Sequence, residues 1–469
     1  MGYFDDIDFE DNSHEKKRDK EELIEALLNK GESYIADLDL ESIDELINYL
    51  LEKNQHIKAI NCIDSLLQFF PYSNEIWQRK AIIYDNKGDF QNAILCFDKA
   101  ISLNPTDEEA ILNKGITLDN SGDFDEALYC FNRVLEIDPC SIDALFNKGL
   151  ILEKTDNFAE AIGCFEKIIT LEPRHKDAYY ELGYSFDFLD QLDKALEAYD
   201  KHIEFAPFNY NAWYNRGVVQ SRMGRCYSAI ESYDMALSIN SRFASAWYNR
   251  GNAHAGIGIY TRAMEDYLQS LTYNNKDVFA LYNLANAYEQ LGKYDEAIAT
   301  FSRAIRTDAN HFESYFGRGN CYYHLSEYKK AMDDYDFAIT LYADNADLWY
   351  AKADAEYNLG LIHESIESYW KVMALDSKNY DASLDLCDTL IETEEYELAA
   401  PALDELIKHQ PDWSEPHYSK AKLHFLTGDT EEGIMELETG FLLSPSDRFE
   451  YDFERDWEKV LQFLISRDE

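Results

Sequence analysis

One phrase of this chain is spelled twice, 34 residues apart: Trp213-Tyr214-Asn215-Arg216-Gly217 and Trp247-Tyr248-Asn249-Arg250-Gly251. The interval runs in both directions without insertion or deletion. It gives twelve units, beginning at Leu40, Asn74, Glu108, Ile142, Lys176, Tyr210, Ala244, Val278, Phe312, Ala346, Tyr380 and Ser414, which tile residues 40–447. No other feature restricts the fold as strongly. A fixed period of this length means one small structural unit stacked on copies of itself, each covering an apolar face that no unit can bury alone.

Each unit carries two helical patterns. In the second, Trp77, Ala81 and Tyr84 recur at i, i+4 and i+7, the spacing of one helical face. Gly88-Asp89 ends that helix, since glycine adopts the left-handed conformation a helix end prefers. Phe90, Ala93, Phe97 and Ala100 then mark a second helix, and Pro105 follows where it disrupts no helix interior. Down the columns, position 20 is Ala59, Ala93, Ala127, Ala161, Ala195, Ala229, Ala263, Ala297, Ala331, Ser365, Ala399 and Gly433. Position 8 is Ala, Gly or Cys everywhere except Ile47, and position 24 is always large, from Ile63 and Phe97 through Tyr233 and Tyr369 to Leu437. Small facing large at constant spacing predicts close helix pairs with knob-and-hole complementarity.

These columns (Trp at 4, Gly or Ala at 8, Tyr at 11, Ala at 20, Phe or Tyr at 24, Ala at 27, Pro at 32) resemble the tetratricopeptide repeat (TPR) family. The units at Asn74, Glu108, Val278 and Phe312 match well. The first, with Ile47 and His56, and the last two, with Ser383, Thr430 and Gly433, are degenerate. The resemblance implies an all-α fold: a right-handed TPR superhelix, an α-solenoid of antiparallel helix pairs whose first helices line a concave face. Outside the repeats, residues 1–19 read as an acidic mobile tail whose Tyr3, Phe4 and Phe9 are either a docking motif or part of a disordered end. Residues 20–39, with Ile24, Leu27 and Leu28 at helical spacing, predict an N-terminal capping helix. Residues 448–469 predict a C-terminal capping helix with Trp457, Leu461 and Leu464 as its buried stripe.

The net charge of −47 sits on a composition that is 46% hydrophobic and 14% aromatic, so it belongs to a folded surface and not to disorder. It argues against nucleic acid and against anionic membrane as partners, since both are bound through basic patches. It favours neutral or basic partners, or serves solubility alone. No apolar run approaches the roughly 20 residues that span a bilayer. Met1-Gly2-Tyr3-Phe4-Asp5-Asp6 has neither the basic start of a secretory signal nor the Ser or Thr of a myristoylation motif. A cytoplasmic protein is expected.

Cys62, Cys96, Cys130 and Cys164 form one column. Equivalent helices of stacked repeats stand about 8–10 Å apart, too far for a disulfide's Cα separation of about 4.4–6.8 Å or a shared zinc. Duplicated, half-buried thiols are the expectation. No His-Glu-x-x-His, phosphate-binding glycine loop or Gly-x-Ser-x-Gly elbow occurs, and His417 and His424 share a helical face without an apparent third ligand. No enzyme activity, cofactor or metal is expected.

The resemblance places positions 2, 5, 6, 9, 12 and 13 on the groove. Position 2 is acidic in nine units: Glu41, Glu75, Glu109, Asp143, Asp177, Glu313, Asp347, Asp381 and Glu415. Such acids offset the helix dipole by about 0.3–1 kcal/mol, and equally form an electronegative lining. Asn211, Ser245 and Phe279 interrupt the column. There, position 5 is Tyr214, Tyr248 and Tyr282, followed by Phe316, and position 6 is Asn215, Asn249 and Asn283; position 9 adds Asn252, Asn286 and Asn320. Carboxamides donate to and accept from an extended backbone, and tyrosines give amphipathic contact at low entropic cost. The pattern resembles the asparagine ladder with which the TPR superhelix of N-acetylglucosamine transferases holds peptide backbones, and departs from it at Glu181 and Gly317. Tyr-Asn at these positions is also common across the family, so ligand contact and family consensus both remain as readings. The carboxylate clamp of TPR co-chaperones is absent, because no unit has Lys at position 2 or 5. The expected function is a non-catalytic scaffold that binds an extended neutral or basic polypeptide across the fifth to ninth repeats. The alternative is a structural assembly or self-associating module using the convex face or the ends, with the oligomeric state open.

Overall fold

The computed structural model describes residues 47–444. The expected tail, both capping helices and the two extremities of the repeat array lie outside the described residues. Among the described residues every regular element is an α-helix. The first helix of a repeat, here called A, begins at position 1 in the second to twelfth repeats, from Asn74 to Ser414. The second helix, B, begins at position 17 in all twelve, from His56 to Thr430. The chain divides into two compact units, Met1–Gly224 and Arg225–Glu469, and each is a run of A–B pairs in tandem.

Position 15 makes each pair antiparallel. It adopts a left-handed backbone in all twelve repeats: Gly88, Gly122, Gly224, Gly258, Gly292, Gly360 and Gly428, but also Asn54, Asp156, Asp190, Ser326 and Glu394 at φ between 55 and 63°. Glycine enters this region freely, and Asn and Asp tolerate it. Ser326 and Glu394 are held there by the turn. The next N–H closes back onto the carbonyl of position 11, 2.9 Å from Asp89 to Tyr84, the long-range bond of a Schellman ending. At the other end, position 34 caps helix A. Ser73, Asp107, Ser141, Asn209, Asp277, Asn345 and Asn379 each accept a hydrogen bond from a backbone N–H of the first turn, worth about 1 kcal/mol apiece.

The aromatic at position 4 joins neighbouring repeats. The indole N–H groups of Trp77, Trp213, Trp247 and Trp349 donate to the carbonyls of Pro71, Pro207, Ser241 and Ala343 in the preceding turn, at 2.8–3.0 Å. Position 7 adds an ion pair to position 25 of the preceding repeat: Lys80–Asp64, Lys114–Asp98 and Arg216–Asp200, each at 2.6 Å, in the first unit, and Lys352–Asp336 at 2.7 Å and Lys420–Asp404 at 2.8 Å in the second. The same cations lie over the position-4 rings of Trp77, Trp213 and Trp349. Exposed pairs of this kind contribute little singly, but their stems cover the seam between repeats.

Inside each pair, position 8 meets position 24. A Cβ added at Gly115, Gly149, Gly183, Gly251 or Gly319 would stand 2.5–2.7 Å from the ring of Phe131, Phe165, Tyr199, Tyr267 or Tyr335. Those five rings are almost wholly buried, and burying each contributes roughly 2–3 kcal/mol. Among the A–B pairs that lie within one unit, that of repeat eleven, where position 8 is Cys387, packs least intimately. Its B helix also carries Pro401, which removes one backbone donor. Within each unit, A helices of successive repeats touch each other more than B helices do, so the A helices form the inner side of the curve.

All eight cysteines are free. Cys62, Cys96, Cys130 and Cys164 are buried, not half-buried as expected. The position-7 lysines oppose that burial electrostatically, Lys80 at Cys96, Lys114 at Cys130 and Lys148 at Cys164. Burial raises all four thiol pKa values, that of Cys96 to about 11, so they are poor nucleophiles at neutral pH.

The position-8 contact predicts that Gly251→Val destabilises the second unit by about 1–3 kcal/mol through overpacking against Tyr267. An unchanged urea midpoint would show that the ring has room to move. Conversely, Glu394→Gly relieves a left-handed residue with no compensating property, and is expected to raise stability by about 1 kcal/mol.

Candidate functional site

The inner face follows a rule the repeat length alone does not contain. Position 6 meets position 5 of the preceding repeat, and position 13 meets the preceding position 12. In the first unit Asn215 Nδ2 donates to Tyr180 Oη at 3.0 Å, Lys154 pairs with Asp119 at 2.7 Å, and Arg222 pairs with Asp187. In the second, Asn283 Nδ2 donates to Tyr248 Oη at 3.0 Å and Asn358 Nδ2 to Tyr323 Oη at 3.1 Å. Where the partner is an acid the direction reverses: Tyr350 Oη donates to Asp385 at 2.6 Å, and Tyr357 Oη to Glu392 at 2.8 Å. The rings at position 5 are themselves held. Phe146, Tyr180, Tyr248, Tyr282, Phe316 and Tyr350 each lie 5.8–6.1 Å, centroid to centroid, from the position-24 ring of their own repeat, at tilted or edge-on angles aromatic pairs favour.

On the first unit Asn211 is exposed, and Tyr214 and Asn215 are half-buried. On the second, Ser245 and Phe279 are exposed, while Tyr248, Asn249, Asn252, Tyr282, Asn283, Asn286, Phe316 and Asn320 are half-buried. One network joins four residues: Asn283 Nδ2 donates to both Tyr248 Oη and Asn252 Oδ1 at 3.0 Å, and Tyr267 Oη donates to Asn252 Oδ1 at 2.8 Å. Asn320 Oδ1 likewise accepts from Tyr335 Oη at 2.8 Å. These carboxamides therefore tie the stack together with one end. The carboxamide of Asn286 makes no hydrogen bond among the described residues. Phe279 and Tyr282 both lean on His311, at 5.9 and 5.3 Å.

A cavity of about 390 Å³ opens on this face between the A helices of the ninth to twelfth repeats, where contact between the tenth and eleventh A helices thins. No expectation from the sequence pointed to it. Asp354, Asp385, Asp388 and Glu392 line it, with Lys422 as the single cation. Tyr369 Oη donates to Asp354 at 2.8 Å, and Ser419 hydrogen-bonds Asp388. Burial pushes the Asp354 carboxyl up to about 6, against the pull of the Tyr369 hydroxyl, and raises Asp385 and Asp388 as well. Part of the signal was present in the columns: position 9 is acidic in two consecutive repeats, at Asp354 and Asp388, and positions 6 and 13 of the eleventh repeat are Asp385 and Glu392.

Two further carboxyls sit high on the first unit for the same reason. Burial lifts Glu153, which accepts from Ser185 Oγ, to about 7, and Glu181, beside it, to about 8. Of the paired histidines, His417 turns inward onto Glu436 at 2.6 Å. His424 instead has Asp429 and Glu432 within reach, ligand atoms lying within 4.8 Å of one another, so two candidate ligands do accompany it. His424 is half-buried and both acids are exposed; nothing in the structure assigns them an ion. No described helix is long and apolar enough to cross a membrane.

Family models described as tetratricopeptide repeat match residues 146–212, 214–276 and 282–346, and others of the same description match 75–107, 96–129 and 362–423. No curated protein matches the chain significantly. Among solved structures, the MamA protein is 27% identical, over 36% of this chain and 92% of that one, with a TM-score of 0.35. YrrB, described as a TPR protein with an unusual peptide-binding site, is 21% identical, over 40% and 96%, with a TM-score of 0.37. The C-terminal part of a TPR repeat-containing protein from Cytophaga hutchinsonii is 19% identical, over 50% and 97%, with a TM-score of 0.46.

The Asp354 carboxyl holds its proton up to about pH 6 when folded, against an ordinary value of 3.8. Between those values the folded chain binds more protons than the unfolded one, so stability falls as pH rises through the window. Asp354→Asn should therefore raise the melting temperature above pH 6 and lose that advantage below about pH 4. A pH-independent gain would trace the effect to packing.

Proposed function

This chain belongs to the tetratricopeptide repeat family, and on that premise we propose that it is a non-catalytic interaction scaffold holding an extended polypeptide against its A helices. The carrying observation is the row on the second unit where the position-2 acids give way to Ser245 and Phe279, with Phe279 64% exposed. Beside them the half-buried Tyr248, Asn249 and Tyr282 and the uncommitted carboxamide of Asn286 recur at the repeat interval, and Phe316 and Asn320 continue the row. Successive A helices stand about 8–10 Å apart, and an extended chain advances about 3.3 Å per residue. Each repeat then meets roughly every third residue of the ligand. The first unit offers the same chemistry at Asn211, Tyr214 and Asn215.

A neutral or basic polypeptide suits a surface with a net charge of −47, whereas nucleic acid and anionic membrane do not. Free thiols throughout fit a reducing, cytoplasmic setting. A second reading, assembly through the outer face, has its own support: Leu95 and Tyr129, both at position 22 of neighbouring B helices, are 65% and 68% exposed.

A photo-crosslinking residue placed at Phe279 or at Tyr129 separates the two. A polypeptide partner captured at position 279, and weakened about tenfold or more by Phe279→Ala with Asn286→Ala, supports the inner face. Capture at position 129 alone, or a concentration-independent dimer crosslinked there, replaces it with the assembly reading.

A further inference from the structure

We propose that the cavity of the ninth to twelfth repeats receives a lysine or arginine side chain of the bound polypeptide. The inference rests on the reading that this face holds a polypeptide, and adds what one stretch of it must carry. Its ground is the balance of donors and acceptors. Each nearby hydroxyl with a carboxylate partner already donates: Tyr369 to Asp354, Tyr350 to Asp385, Tyr357 to Glu392. The hydroxyls orient the carboxylates and leave the cavity rich in unused acceptors. Thr389 Oγ1 is likewise turned onto its own helix, donating to the Asp385 carbonyl at 2.6 Å. Four carboxylates stand against Lys422 alone, in a place dry enough to push three of them upward. A carboxylate or phosphate ligand would find repulsion and few donors there. A donor-rich cation would find acceptors with fixed geometry.

The shape narrows the class further. Holding a metal ion with four acids requires ligand atoms that converge on one point. Among the described residues the single group that converges so is His424, Asp429 and Glu432, outside the cavity. Three of the cavity acids, Asp385, Asp388 and Glu392, instead follow one another along a single A helix, and the partly exposed Tyr323 and Tyr357 supply ring surface beside them. Acids at intervals along aromatic walls suit a cationic head on an apolar stem, with ring faces adding cation–π attraction. The volume, about 390 Å³, lies at the small end of the roughly 300–1,000 Å³ usual for ligand sites, enough for one side chain.

The test is a random twelve-residue peptide library displayed on phage and selected on the full-length chain, each enriched peptide then being titrated. The expected result is enrichment of Lys or Arg at one fixed place, and a loss of about tenfold or more on Asp385→Asn/Asp388→Asn. A charge-matched control on an exposed B helix, Asp125→Asn/Glu126→Gln, should change affinity less than about twofold, as a screened surface pair does. Should the cavity variant fail to fold by circular dichroism, replacing the peptide's basic residue by norleucine at about 0.5 M salt, where surface attraction is screened, reads the same loss. Enriched peptides without a fixed basic residue, or equal losses on both variants, overturn this inference and leave the scaffold reading standing. No enrichment at all overturns both.

Discussion

The contact between position 8 and the ring at position 24 sets every other distance in the structure. With no Cβ, or only one, at position 8, helices A and B approach until the ring fills the gap between them. The ring then seats the aromatic at position 5 at a nearly constant separation, and that aromatic offers its hydroxyl to the next repeat. A polar ladder is therefore a consequence of a packing rule. In repeat eleven, where position 8 is Cys387, the pair packs least closely of those within one unit, and the cavity lies beside it. Looser packing here coincides with a concave, acid-lined stretch of the second unit's inner face.

Charge is distributed with similar economy. The chain has 43 basic residues against 90 acidic ones, and much of its position-7 cation set is engaged in pairs with the preceding repeat. The cations of three of those pairs, Lys80, Arg216 and Lys352, lie over tryptophan rings, and the pairs hold the seam between repeats. The acids that remain unopposed are consequential only where they are also desolvated, because exposed charge is screened within about 8–10 Å by salt. Asp354, Asp385 and Asp388 meet that condition.

Much of this was legible in the sequence, and the failures are physical. Helix starts at positions 1 and 17 and the turn at position 15 follow from the period and from Gly88 or Gly122. Ser326 and Glu394 adopt the same backbone because the stack imposes it, which no local propensity reveals. The Asn215–Tyr180 and Asn283–Tyr248 bonds were hidden for another reason: they span one residue more than the period, and the offset between repeats exists only in three dimensions. The depth of Cys96 comes from its packing with Ala81 and Phe97, which its column alone does not show. The cavity was harder to read, since Asp354, Asp385 and Asp388 stand in columns whose residues vary from repeat to repeat, and its walls come from four repeats at once.

Nearly all contacts between repeats join a residue to one in the adjacent repeat: position 7 to 25, position 4 to 32, position 6 to 5, position 13 to 12. A single inserted residue in an A helix would turn its following side chains by about 100° and break a junction, whereas a whole inserted unit finds compatible partners on both sides. A chain bonded this way can change its length in whole steps during descent, by duplication or loss of a unit, while the rest of its interfaces go on unaltered. The absence of any fractional step in its twelve units is the mark such a history leaves.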